Sequence, residues 1–205
     1  FVFFDHFDAE NVRPEDFDIP PHPHIGLQTV SYLFEGELLH TDSLGYQQTI
    51  KPGAVNLMTA GRGITHSEQS MQNWRRMHGI QSWIGLPHDK RRMEPAFDHY
   101  DTASLPLVHR DNATIRVLMG GLDDSLSPIV THQSLTYLDI EAADRTFLEI
   151  NTDESHELAV YNCEGAAEIG GERLERFELA KLSSGAVIEI TTLSAARLII
   201  FGGEP

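Results

Sequence analysis

Two short runs in the front third of the chain bring together side chains that bind metal ions. Pro21-His22-Pro23-His24 sets two imidazoles two residues apart, and Thr65-His66-Ser67-Glu68 sets an imidazole and a carboxylate at the same spacing. In a β-strand, residues i and i+2 share a face, so each run can aim both of its ligands the same way. If the two strands are neighbours, His22, His24, His66 and Glu68 become three imidazoles and one carboxylate around one point. That donor set suits a first-row transition ion such as iron, copper, nickel or manganese. On a six-coordinate ion it leaves two positions for substrate or dioxygen. The absence of thiolates argues against a structural zinc site. Taken singly, a His-x-His pair is more often a turn or surface feature, and the Thr-His-Ser-Glu run is weaker still. The metal reading draws its weight from both runs falling within one repeat of a strand-rich chain.

The elements that must position them are strands. Leu27 to Phe34, Ala54 to Met58, Ile80 to Ile84, Thr114 to Met119, Leu135 to Ile140, Phe147 to Ile150, Leu158 to Tyr161, Ala186 to Thr191 and Arg197 to Phe201 are short and rich in β-branched, aromatic or Leu residues. Gly and Pro punctuate them, at Gly36, Pro52-Gly53, Gly61, Gly63, Gly165 and Gly170-Gly171 among others. Many short strands with turn signals between them predict an all-β sandwich or barrel. Helical periodicity is weak, with short candidates only near Arg91 and from Gln69 to Arg75.

An internal repeat predicts two such barrels. Tyr32-Leu33-Phe34-Glu35-Gly36 matches Tyr161-Asn162-Cys163-Glu164-Gly165 at an offset of 129, and Pro52-Gly53-Ala54-Val55 matches Ser184-Gly185-Ala186-Val187 at 132. The segment from about Pro95 to Asn112 reads as the connection, which gives domains at 1–108 and 109–205. Carried across the repeat, His22 and His24 land on Asn151 and Asp153, and His66 and Glu68 land on Leu198 and Ile200. On this alignment the back barrel holds no ligand set and fills the same place with apolar side chains. His156, alone beside Asn151 and Asp153, reads as a surface residue.

The two halves also differ in charge. The 205-residue chain has a formal net charge of -16, with 31 acids against 15 bases. Up to Arg110 there are 9 Lys/Arg against 14 Asp/Glu; from Asp111 on there are 6 against 17. Nine of the 11 histidines lie at or before His109. So acidic a chain repels phosphate backbones and anionic membrane surfaces, which excludes direct nucleic-acid binding through a basic face. No apolar run approaches the roughly 18 residues that span a bilayer. One cysteine, Cys163, excludes an intrachain disulfide framework and any multi-cysteine metal site, and fits a reducing compartment such as the cytoplasm. It reads as a small buried hydrophobe. Arg62, between Gly61 and Gly63, either guards a pocket mouth or is solvated on an ordinary turn. Trp83, Met58 and Phe34 either line an aromatic pocket or pack the core. The unpaired histidines, His40 and His78 among them, default to surface or hydrogen-bonded structural roles.

At the residues named first the sequence resembles the pirin family, a branch of the cupin superfamily. The matching runs are Phe3-Phe4-Asp5-His6-Phe7, Pro21-His22-Pro23-His24-Ile25-Gly26-Leu27-Gln28-Thr29-Val30 and Met58-Thr59-Ala60-Gly61-Arg62-Gly63-Ile64-Thr65-His66-Ser67-Glu68. His78-Gly79-Ile80-Gln81-Ser82-Trp83 and the closing Phe201-Gly202-Gly203-Glu204-Pro205 complete them. The resemblance implies a bicupin: two antiparallel, jelly-roll-type β-barrels packed face to face. It implies metal in the N-terminal barrel only, on His22, His24, His66 and Glu68. Iron, one per chain, is the implied ion, with other divalent transition metals as alternatives. Family members commonly carry Glu where this chain has Gln28, a position outside the ligand set, and their chains extend beyond both ends seen here.

Several members of that family act as quercetin 2,3-dioxygenases, which implies a flavonol and dioxygen as substrates. The flavonol would bind the open metal positions through its 3-hydroxyl and neighbouring carbonyl, with Glu68 accepting the hydroxyl proton. Some eukaryotic members act as transcriptional co-regulators. The alternative is therefore a non-enzymatic, iron- or redox-responsive regulator that meets a basic partner protein through the acidic C-terminal barrel.

Overall fold

The computed structural model of the chain describes residues 1–182 and 187–205. The chain divides into two compact units, Phe1–Ala103 and Ser104–Pro205. Among the described residues both are built from strands and short turns alone, with one-turn 3-10 segments at Pro14–Phe17 and Thr102–Ser104.

The front unit contains β1 (Phe3–Val12), β2 (Asp18–His24), β3 (Leu27–Glu35), β4 (Leu38–Asp42), β5 (Gln47–Ile50), β6 (Val55–Thr59), β7 (Ile64–Gln69), β8 (Trp74–Gly85) and β9 (Ala96–Tyr100). They form two antiparallel sheets, ordered β1-β8-β3-β6-β9 and β2-β7-β4-β5. The back unit contains β10 (Leu107–Arg110), β11 (Ala113–Met119), β12 (Gly121–Leu122), β13 (Ser125–Leu126), β14 (Leu135–Ala142), β15 (Phe147–Asn151), β16 (Glu157–Glu164), β17 (Ala167–Ile169), β18 (Glu172–Leu174), β19 (Leu179–Lys181), β20 (Val187–Thr192) and β21 (Ala196–Gly203). Its main sheets run β10-β11-β14-β21-β16-β19 and β15-β20-β17-β18, beside the small hairpin β12-β13. In each unit eight consecutive strands, β1 to β8 in front and β14 to β21 behind, follow the order of a jelly roll, alternating between the sheets except at the hairpins β4-β5 and β17-β18. The hydrogen-bonded ladders give two sheets per unit rather than one continuous closed sheet.

Alternation in the sequence decides which side chains face inward. Along β7, Ile64, His66 and Glu68 are buried while Thr65, Ser67 and Gln69 are not. Along β20, Ile188, Ile190 and Thr192 are buried while Val187, Glu189 and Thr191 are not. The back unit closes on an apolar cluster that includes Leu148, Ile150, Ile188, Ile190, Leu158, Val160, Leu198 and Ile200.

The Tyr32–Gly36 repeat marks a shared device. β3 slips register between Leu33 and Glu35, and β16 slips between Asn162 and Glu164. A glycine at positive φ follows each bulge, Gly36 at 90° and Gly165 at 77°. A Cβ on Gly165 would stand 2.1 Å from the Ala195 carbonyl oxygen, so only glycine fits.

The second repeat does not hold. Ser184, Gly185 and Ala186 lie outside the described residues, and Val187 opens β20, the counterpart of β7, not of Val55 and β6. The cause is loop length. Four residues, Ser43 to Tyr46, join β4 to β5, whereas Gly170-Gly171 alone join β17 to β18, both with φ > 0 as a tight hairpin turn needs. The offset therefore shrinks past this hairpin instead of growing. Leu198 and Ile200 belong to β21, the counterpart of β8, and the residues facing inward in place of His66 and Glu68 are Ile188 and Ile190.

Other expectations are corrected or hold, one by one. The Gln69–Arg75 stretch is the end of β7 and the start of β8, and the region of Arg91 is a pair of turns closed by Lys90 N–H to Pro87 O and Met93 N–H to Lys90 O. The connecting segment 95–112 itself carries β9 and β10. His156 is buried and hydrogen-bonds the hydroxyls of Ser134 (2.9 Å) and Thr136 (3.0 Å). Cys163 is buried, as the strand pattern suggests, and burial pushes its thiol pKa far up. Met58 packs with Ala60, Ile64 and Phe97 in the core. Arg62 is solvated and pairs with Glu94 at 2.7 Å, the ordinary-turn reading.

Candidate metal centre

The sheet β2-β7-β4-β5 assembles the site by register. His22 on β2 lies opposite His66 on β7, which lies opposite Asp42 on β4; Glu68 lies opposite His40. The β2–β7 pairing slips between Ile19 and His22, where Pro20-Pro21 cannot donate to the ladder. This bulge sets His22 and His24 beside His66. The ring centroids stand 4.9 Å apart for His22 and His24, 4.5 Å for His22 and His66, and 5.0 Å for His24 and His66.

A metal-binding atom of each of these three rings lies within 4.8 Å of the other two. His66 also belongs to a second such group, with His40 and Glu68. All four residues singled out in the sequence therefore converge on one region, with His66 shared between the groups and Glu68 on the His40 side.

Local hydrogen bonds tell which ring nitrogens remain open. The Nδ1 of His22 stands 2.9 Å from the Pro20 carbonyl, which can only accept, so Nδ1 carries the proton and Nε2 keeps its lone pair. The Nδ1 of His66 faces His40 Nδ1 at 3.4 Å. The Nε2 of His66 is buried and has no hydrogen-bond partner among the described residues. An orphaned ring nitrogen in a core costs about 1–3 kcal/mol unless something satisfies it. Ser31 Oγ lies 2.9 Å from Glu68 Oε1 and 2.8 Å from Gln81 Oε1, joining the carboxylate to β3 and β8.

Burial sets the protonation. Desolvation, then the neighbouring imidazoles, lowers the pKa of His66 to about 3. Burial and His22 lower that of His24. Both rings are neutral at pH 7, the form that ligates a metal. Burial raises the pKa of Glu68 against the opposing hydrogen bond from Ser31. An orphaned Nε2, neutral rings and an adjacent carboxylate fit a transition ion.

The site opens on a cavity of about 310 Å³ between the two sheets. Phe3, Phe7, Phe17 and Trp83 supply aromatic walls, and Asp5 and Gln81 supply polar groups. Phe3 stacks on Trp83 with centroids 4.2 Å apart, and Trp83 meets His24 edge-on at 5.0 Å. Of the three aromatic-pocket candidates, only Trp83 lines this cavity.

Asp42, Ser31 and Gln81 have no site role in the sequence reading, and His40, read there as an unpaired histidine in a surface or hydrogen-bonded structural role, is hydrogen-bonded to Asp42. His40-x-Asp42 has the same i, i+2 spacing that marks the other two pairs, and was the available signal. In the back unit the equivalent inward slots hold Leu148, Ile150, Ala167, Ile169, Ile188 and Ile190. Both metal-competent groups among the described residues lie in the front unit. Among those residues no helix is long and apolar enough to cross a membrane.

Known proteins agree with this architecture. The Pirin family profile matches residues 1–84, and that of the Pirin C-terminal cupin domain matches 137–205. A Pseudomonas aeruginosa protein named provisionally as a quercetin 2,3-dioxygenase is 38% identical over 99% of this chain and 64% of its own length. A pirin-like protein of Caulobacter vibrioides is 34% identical over all of this chain and 73% of its own. The crystal structure of a quercetin 2,3-dioxygenase from Acinetobacter baumannii superposes with a TM-score of 0.92 at 38% identity, covering 99% of this chain and 68% of that one. This chain thus spans about two-thirds to three-quarters of the length of these relatives. With two cupin-type jelly rolls, a Pirin profile on the first and a Pirin C-terminal cupin profile on the second, and a pirin-like relative at 34% identity, the chain belongs to the pirin family of the cupin superfamily.

Proposed function

We propose that the front unit holds one transition ion, iron, on His22, His24, His66 and Glu68, and that the protein opens the ring of a flavonol with dioxygen. The observation that carries this reading is the buried Nε2 of His66, aimed among imidazoles beside an aromatic-walled cavity. The kinship with proteins named as quercetin 2,3-dioxygenases supports the substrate class. The back unit, with isoleucines in the equivalent slots, holds no ion on this reading.

The bound ion would supply Lewis acidity, which lowers the pKa of a ligated hydroxyl, and a redox centre for dioxygen. The protein's residues do the rest. The aromatic walls take a flat polyphenol and exclude water from its reactive edge. Ser31 holds Glu68 through Oε1, which leaves Oε2 to accept the proton of the flavonol 3-hydroxyl. In the metal-free protein, burial raises the pKa of that carboxylate.

Iron-loaded protein mixed with quercetin without oxygen, then exposed to oxygen, is expected to consume both and release carbon monoxide. No turnover in protein shown to hold its metal would sink the dioxygenase reading. The surviving alternative would be a redox-responsive regulator that meets a basic partner through the back half, where 17 acids face 6 bases.

A further inference from the structure

Behind His66 runs a chain of buried polar groups. His40 and Asp42 lie on the inward face of β4 and are 3% and 8% exposed. Asp42 Oδ2 stands 3.1 Å from His40 Nε2, and His40 Nδ1 stands 3.4 Å from His66 Nδ1. His40 is clamped from the side by Phe97, stacked at 4.3 Å and 16°. The other oxygen of Asp42, Oδ1, accepts the backbone N–H groups of Leu44 (2.9 Å) and Tyr46 (3.1 Å).

For a singly protonated His40, these contacts fix the protons along the chain. A carboxylate only accepts, so His40 carries its proton on Nε2 and offers Nδ1 as an acceptor. His66 then donates from Nδ1, and its Nε2 is left with the lone pair. We propose that Asp42 and His40 are positioning residues that lock His66 into the tautomer able to ligate a metal. The inference rests on the metal reading above for its purpose, not for its geometry. Neither residue lines the cavity; on the four-ligand reading above, both act through His66, as outer partners orient a metal's ligands.

Asp42→Asn turns the chain round without changing its shape. The two backbone donors keep the amide oxygen where Oδ1 was, so the NH2 group faces His40. His40 must then accept at Nε2 and carry its proton on Nδ1, pointing it at His66. His66 in turn must accept at Nδ1 and protonate Nε2, which removes the lone pair. His40→Phe keeps a ring on Phe97 and removes the relay, but leaves His66 free to choose its tautomer.

Long-range 1H–15N correlation spectra of the metal-free protein read the tautomers directly. The wild type is expected to show His66 protonated on Nδ1 and His40 on Nε2, with both reversed in Asp42→Asn. Titration with Co(II) is expected to bind about 10- to 100-fold more weakly in Asp42→Asn, and His40→Phe is expected to lose less. Wild-type His66 protonated on Nε2, or an Asp42→Asn protein with wild-type tautomers, would overturn the proposal. So would a larger affinity loss in His40→Phe, which is what packing alone predicts. Because the tautomers are read without metal, failure of the wild type to bind Co(II) would count against the metal site and not against the relay.

Discussion

Glu68→Gln is expected to lower flavonol turnover of the metal-loaded protein by about 10²–10⁴-fold and to make the metal-free protein more stable. Both effects come from one atom. Glu68 is among the most buried ionisable groups of the site, and burial raises its pKa. The Gln carbonyl can still accept from Ser31 Oγ, 2.9 Å away in the wild type. The second oxygen becomes NH2, which neither accepts a proton nor ligates well. Removing a buried charge that the metal-free protein pairs poorly is worth about 1–2 kcal/mol, which raises the midpoint of thermal unfolding by several degrees. Turnover is measured at saturating metal with bound metal counted, and stability by thermal unfolding of metal-free protein at pH 8. Undiminished turnover would remove Glu68 from the chemistry. This trade of stability for activity is common where a site breaks the local rule of the fold. Here the rule is visible in the same chain, because the back unit places Ile188 and Ile190 where the front unit places His66 and Glu68.

His66→Gln is expected to leave the protein without bound metal and to change how the metal-free protein responds to acid. Burial holds the pKa of His66 down at about 3, whereas an unfolded chain's histidine titrates near 6.5. Between those values the unfolded state binds a proton that the folded state does not. Stability is therefore fully present above about pH 6.5 and falls as pH drops toward 3, by up to about 1.4 kcal/mol per pH unit for this ring. Glutamine does not titrate, so urea unfolding of the two metal-free proteins from pH 7 to pH 5 is expected to show the wild type losing stability relative to the variant. Parallel pH profiles would mean that His66 is not held neutral in the fold.

What the sequence discloses follows physical range. His22-x-His24 and His66-x-Glu68 are legible because strand periodicity is local: two residues on is the same face, whatever the strand pairs with. That the two pairs meet depends on register between β2 and β7, which is a property of the sheet. His40 and Asp42 carry the same spacing, yet their role is to reach His66 across β4 and β7, and no local pattern states that. The Tyr32–Gly36 repeat is legible because a bulge and a positive-φ glycine demand particular residues at both copies. The alignment fails beyond it because a two-residue turn at Gly170-Gly171 replaces a four-residue one, and a loop's length is not constrained by what lies downstream. The apolar filling of the back unit is nevertheless right in kind. Leu198 and Ile200 are core residues, on the strand next along from the one that replaces β7. The helical expectation at Gln69 to Arg75 fails because Gln69 pairs with β2 and β4 at the end of β7 and Trp74 pairs with β1 at the start of β8, which overrides a weak local preference.

X-ray absorption at the iron edge of the Fe(II)-loaded wild type tests the central claim most directly. The account predicts about one iron per chain, in a shell of nitrogen and oxygen that shows the multiple scattering of three imidazoles. A protein that takes up no iron, or iron bound with fewer imidazoles or with the sulfur of Cys163, would contradict it.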